Sequence, residues 1–114
     1  MKPSLRAAYE AELQAARRAA GEGNSERAFA HLARAHILGQ RSTLRHVHVH
    51  WLMLKLGASL RDRREVFGQL SRMAAAALFS RIWVPAGNTG RANVSAVEPM
   101  PIPDDLRALL EAAD

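Results

Sequence analysis

Four stretches of helical periodicity, cut apart at Gly21–Asn24, Gly39 and Gly57 and halted before Pro85, leave this chain few folds to choose from. Residues 4–21 place Leu5, Ala8, Tyr9, Leu13, Ala16 and Ala20 at intervals of three and four, which is one face of a helix. Ser4 is the expected N-cap there, and Ser25 caps an expected second helix that runs to about Leu38 and stops at Gly39. Ala28, Leu32, Ala35 and Leu38 form its apolar stripe. A third helix is expected from about Thr43 to Leu56, ending at Gly57. It is apolar on nearly every side, so it should sit centrally, with Trp51 and later Trp83 as core anchors. The fourth helix starts at Ser59 or Asp62. It is expected to turn Leu60, Val66, Phe67, Leu70, Met73, Ala74, Ala77 and Leu78 inward.

Residues 84–103 break the pattern, holding four of the five prolines and two of the seven glycines. A segment of that length without regular elements is either functional or flexible. A short helix over 104–113, started at Asp104, should close the chain on Leu106, Leu109 and Leu110. The expected fold class is therefore all-α. Two antiparallel helical hairpins form a four-helix, tetratricopeptide-like bundle over about 4–82, followed by the extended segment and the terminal helix, in one domain of 114 residues.

Composition narrows the setting. The longest apolar run, Met73 to Phe79, is seven residues, too short to cross a bilayer, so no membrane partner is expected. The N-terminus turns charged at once and shows no apolar signal core. With no cysteine to form disulfides, a cytoplasmic protein is the expectation. The net charge of +5 is read as a soluble basic surface. Nucleic-acid binding, which would show steep salt dependence, ranks last because no motif for it is present.

All five histidines fall within twenty positions, at His31, His36, His46, His48 and His50. In a chain without cysteine they are the good ligands for a borderline metal ion. His46 and His50 are four apart and share one face of helix three. With the hairpin turn near Arg41, His36 faces His46, and His31 lies near Trp51 and His50. The turn near Gly23 puts Glu10 opposite His36, where it can ligate or orient an imidazole. His48 points away by about 160°. This set suits zinc, copper, nickel or iron, and the sequence does not choose among them. The rival reading makes the histidines core residues bonded to carbonyls or carboxylates. A rival local structure makes HVHVH a strand with three histidines on one face, but no partner strand is in sight.

Weaker features lie elsewhere in the chain. Gly87–Gly90 forms either an anion-binding nest or a structural turn. Arg61, Arg63 and Arg64 beside Asp62 and Glu65 read as a solvated helix start. No serine, histidine and acid arrangement suggests nucleophilic catalysis, so a binding role is expected rather than an enzyme. Residues 11–40 also resemble a tetratricopeptide-type unit, with Gly23 and Asn24 at its turn and Ala28, Ala35 and Leu38 at packing positions.

The segments AFAHLARAHILGQ (28–40), HVHVHWLML (46–54), GNTGRANVSA (87–96) and PMPIPDDL (99–106) together resemble a bacterial family catalogued as domain of unknown function 3703, from about residue 8 to residue 110. Members of that family resemble HLERAH where this chain reads HLARAH, so Ala33 stands in place of an acid. The resemblance implies a small protein from settings of heavy-metal resistance. The resulting expectation is a metal-binding, or metal-cofactor-binding, helical protein acting by capture, sensing or delivery. Its ligands are His36, His46 and His50, with Glu10 in support and His31 nearby. Affinity should fall as pH drops below about 6. The alternative is a tetratricopeptide-like interaction module that binds a protein partner without metal.

Overall fold

The computed structural model describes residues 1–80 and 82–112. Local chemistry starts and stops its five helices: α1 (Pro3–Gly21), α2 (Ser25–Gly39), α3 (Thr43–Ser59), α4 (Arg63–Phe79) and α5 (Asp104–Ala112). Among the described residues there is no strand, so HVHVH is helical. α1 begins one residue earlier than expected. Pro3, with its fixed φ, occupies the first turn, and Lys2 rather than Ser4 holds the cap position. α2 is capped by the side chain of Asn24, which accepts from the Arg27 N–H at 3.1 Å, rather than by Ser25. Asp62 does the same for α4 through the Glu65 N–H. α3 runs on through Gly57. This glycine admits the Glu65 side chain, whose Cγ would lie 2.8 Å from a Cβ there, and so serves close helix approach rather than a stop.

α1 packs on α2 and α3 on α4 as two helical hairpins. α2 lies against α3 to join them, and α5 closes over α2 and α1. Leu5, Tyr9, Leu13, Phe29, Leu32, Leu38, Val49, Met53 and Leu106 form the continuous core. Tyr9 donates its hydroxyl to the Arg45 carbonyl at 3.2 Å, tying α1 to α3. Arg34 on α2 pairs with Glu12 of α1 and with Asp105 of α5. No helix among the described residues is long and apolar enough to cross a membrane.

α4 is turned over relative to the sequence expectation. Its buried residues are Glu65, Gln69 and Ala76, while Phe67, Leu70 and Leu78 face outward, Phe67 with 68% of its surface exposed. The spacing of Glu65, Gln69, Arg72 and Ala76 is as helical as that of the apolar stripe. The polar face wins because it meets polar groups inside: an imidazole, a guanidinium and the carbonyls of the following segment. A buried polar group that is fully bonded costs far less than one left unpaired. Trp51 and Trp83 are likewise about half exposed, at 45% and 55%, and neither anchors the core.

Candidate metal centre

The α2–α3 turn does the first part of the assembly. His36 lies in the last turn of α2, and His46 and His50 lie one turn apart on the facing side of α3. All three are buried, and their rings stand 4.7–4.9 Å apart between centroids. Nε2 of His36 is 3.0 Å from Nε2 of His46 and 3.2 Å from Nε2 of His50. One nitrogen from each of the three lies within 4.8 Å of the others. A tetrahedral zinc ion with bonds of about 2.0–2.1 Å holds its nitrogens roughly 3.3 Å apart, close to the two spacings that His36 makes.

The outer groups decide which nitrogens carry protons. His36 Nδ1 lies 2.7 Å from the Asn88 carbonyl, which can only accept, so His36 donates from Nδ1. Gln69 donates its amide hydrogens to Glu65 at 2.6 Å and to the Gly90 carbonyl at 2.8 Å. That orients its Oε1 toward His50, and His50 donates from Nδ1. Both rings therefore present a bare Nε2 lone pair to the other across 3.2 Å, with no proton between. His46 can donate to only one of them, and its own Nδ1 is buried without a hydrogen-bond partner.

The surrounding charges leave this arrangement unrelieved. Glu65, 2% exposed, is held by the Arg91 guanidinium at 2.9 Å, by Gln69 and by the Ala92 N–H. Arg91 also stacks over Phe29 with its guanidinium carbon 3.8 Å from the ring centre. Burial pushes the His36 imidazole well below its ordinary pKa, and the charges His50 and His46 would carry push it further. Burial lowers His46 to about 4, helped by His50, while the Gln40 carbonyl tempers the shift without reaching hydrogen-bond geometry. Burial also lowers His50 to about 4, against the bond to Gln69. At neutral pH these three rings are uncharged, the state in which imidazole ligates a metal.

The segment after α4 carries the rest of the wall. Asn88, 1% exposed, donates to the Ser95 and Glu98 carbonyls at 2.7 Å and accepts from the Gly90 N–H at 2.9 Å. Gly87–Gly90 is thus a turn organised by an asparagine. Within it Gly90 has φ +77°, and a Cβ there would lie 2.6 Å from the His36 ring.

Of the five sequence candidates, the structure brings His36, His46 and His50 together. Glu10 is exposed on α1, apart from them. His31 is bonded instead to Glu12 at 2.7 Å, because Glu12 sits on the α1 face that meets α2. His48 is exposed. Sequence reasoning missed Gln69, Asn88 and the burial of Glu65. The one available signal was Glu65, Gln69 and Arg72 at intervals of four and three, a second polar face on α4 beside its apolar stripe.

A family model described as protein of unknown function (DUF3703) matches residues 3–110. No curated protein and no solved structure matches the chain.

Proposed function

The chain belongs to the DUF3703 family, and from that premise together with its converging imidazoles we propose that it is a transition-metal-binding protein whose ligands are Nε2 of His36, His46 and His50. The observation that carries this reading is the pair of bare Nε2 lone pairs facing each other across 3.2 Å in a buried pocket. Such an arrangement is repulsive until a cation sits between the nitrogens. The low proton affinity of these rings favours a metal ion over a proton in that role. The Asn88 carbonyl and the Gln69 amide fix ring orientation and tautomer, as outer partners do at histidine metal sites. Three neutral imidazoles suit zinc, copper, nickel or iron. Such a site serves capture or delivery within heavy-metal handling.

Elemental analysis of untagged protein, after equilibration with these four metals and desalting, tests the reading. The parent should retain about one equivalent of one of them, and the His46→Gln/His50→Gln variant less than about a tenth of that. His31→Ala should match the parent, since His31 serves Glu12 instead. Parent protein that keeps no metal sinks the reading. It would favour an interaction module without metal, which the outward Phe67, Leu70 and Leu78 of α4 support.

A further inference from the structure

The three imidazoles form the floor of a cleft of about 420 Å³, a volume that suits a small organic molecule. A tetrahedral ion bound to three nitrogens keeps a fourth position. Among the described residues no carboxylate joins the histidines to fill it, since Glu65 is spoken for by Arg91 and Gln69. The cleft is where an incoming ligand has access. Its walls combine apolar, neutral polar and charged groups, with Ser71, Ser80 and Asn88 the neutral polar ones. Ala75, Ala76, Phe79, Trp83 and Val97 are apolar, and Phe79 and Trp83 are more than half exposed. Arg72 is the charged group of the wall. Its terminal nitrogens bond the Gly68 carbonyl at 3.1 Å and the Val94 carbonyl at 2.8 Å, and its Nε is buried with no partner. With Glu65 neutralised by Arg91, a divalent ion on neutral imidazoles beside Arg72 leaves the pocket positively charged.

Resting on the metal reading above, we propose that the loaded site takes an exogenous small organic anion. A carboxylate oxygen fills the fourth coordination position within the field of Arg72, and the apolar body lies against Phe79 and Trp83. The charge comes from the metal and Arg72, and the selectivity for an apolar body comes from the cleft wall. A carboxylate answers both the vacant coordination position and the uncompensated positive charge, where a neutral donor would answer only the first.

Cobalt-loaded protein provides the test, because the visible bands of cobalt(II) respond to its coordination shell. Titration with acetate and with phenylacetate should shift these bands, with phenylacetate binding about tenfold more tightly. Arg72→Met should weaken phenylacetate about tenfold or more. Arg72→Gln, which removes the charge but keeps an amide donor for the carbonyls Arg72 bonds, is read in the same way should the methionine variant fail to fold. Phe79→Ala, at an exposed position, should erase the preference for phenylacetate over acetate. Cobalt content, measured on the same samples, reports whether the imidazoles still converge. Bands that ignore both anions overturn the proposal and leave the metal reading standing, as do Arg72 variants that bind phenylacetate as the parent does. A parent that takes up neither cobalt nor any of the four metals above overturns the metal reading and this proposal with it; a parent that loads only one of those four is titrated in that form by calorimetry, and the absence of heat with both anions overturns the proposal.

Discussion

Gly90→Ala is expected to abolish metal retention although Gly90 is no ligand. Two effects combine at this position. Its φ of +77° lies in the left-handed region, which costs a residue with a side chain about 1–2 kcal/mol. The new methyl group would then stand 2.6 Å from Cδ2 and 2.8 Å from Nε2 of His36. That ring has nowhere to retreat. It is 2% exposed, packed between the rings of His46 and His50, and held at Nδ1 by the carbonyl of Asn88, two residues before the substitution. Either His36 swings out of the cluster or the 88–90 turn lifts off, taking with it the Gly90 carbonyl that orients Gln69. Both outcomes separate the nitrogens. Metal content after desalting should fall at least about tenfold, and Tm should drop by roughly 10 °C. Gly21→Ala is the control, because its Cβ meets nothing within 4 Å and its φ is ordinary. It should leave metal content alone and gain up to about 1 kcal/mol of stability. A Gly90→Ala protein with parental metal content and Tm would show that the turn does not back the His36 ring.

The same turn shows how far the sequence could be read. His46 and His50 were legible because four-residue spacing on a helix determines a shared face, and His36 because a short hairpin determines which residues lie opposite. The helices were legible from period and punctuation, with errors at starts where two capping residues adjoin, Asn24 beside Ser25 for instance. Orientation about the helix axis was not legible for α4. Its apolar stripe carries more hydrophobic surface, but its other face carries Glu65, Gln69 and Arg72, whose partners come from α3 and from residues 88–94. Periodicity records that a helix has two faces, and long-range hydrogen bonds decide which one turns inward. Glu10, expected opposite His36, and His31, expected near Trp51 and His50, stand apart from the cluster for a related reason. Counting from a turn sets the level along a helix pair but not the rotation, and a small rotation gives the inward acidic position to Glu12. The 84–103 segment has no period at all, so its role as the wall of the site could be seen only in three dimensions.

Metal-free protein should unfold on mild acidification, and the histidine cluster should be the cause. The unfolded chain takes up protons on histidine near pH 6.5, whereas folded His46 and His50 do so only near 4, and His36 lower than its ordinary value. Above about pH 6.5 both states hold neutral rings, and stability is level in pH as far as these groups are concerned. Between about 6.5 and 4 the unfolded state binds more protons, so stability falls as pH falls. A pKa lowered from 6.5 to about 4 corresponds to roughly 3 kcal/mol for one independent ring. Neighbouring rings couple, so the sum is smaller than additive, but several kcal/mol is a large share of the roughly 5–15 kcal/mol available to a domain. Urea unfolding of chelator-treated protein at pH 7, 6, 5 and 4 should therefore show a steep decline, with the folded state lost near pH 5. The His46→Gln/His50→Gln variant, with two of the three rings gone, should give a much flatter curve over the same interval, whatever its stability at pH 7. A bound metal ion binds the neutral rings of the folded state alone, adding about 2.7 kcal/mol at a hundredfold excess over Kd and carrying the parent further into acid. The limit near pH 6 expected for ordinary imidazoles thus moves lower, toward the pKa of about 4 that burial gives His46 and His50. Parent stability that stays level from pH 7 to 5 would mean that the rings are protonated or solvated in the folded protein. The facing lone pairs, and the metal reading built on them, would then fall together.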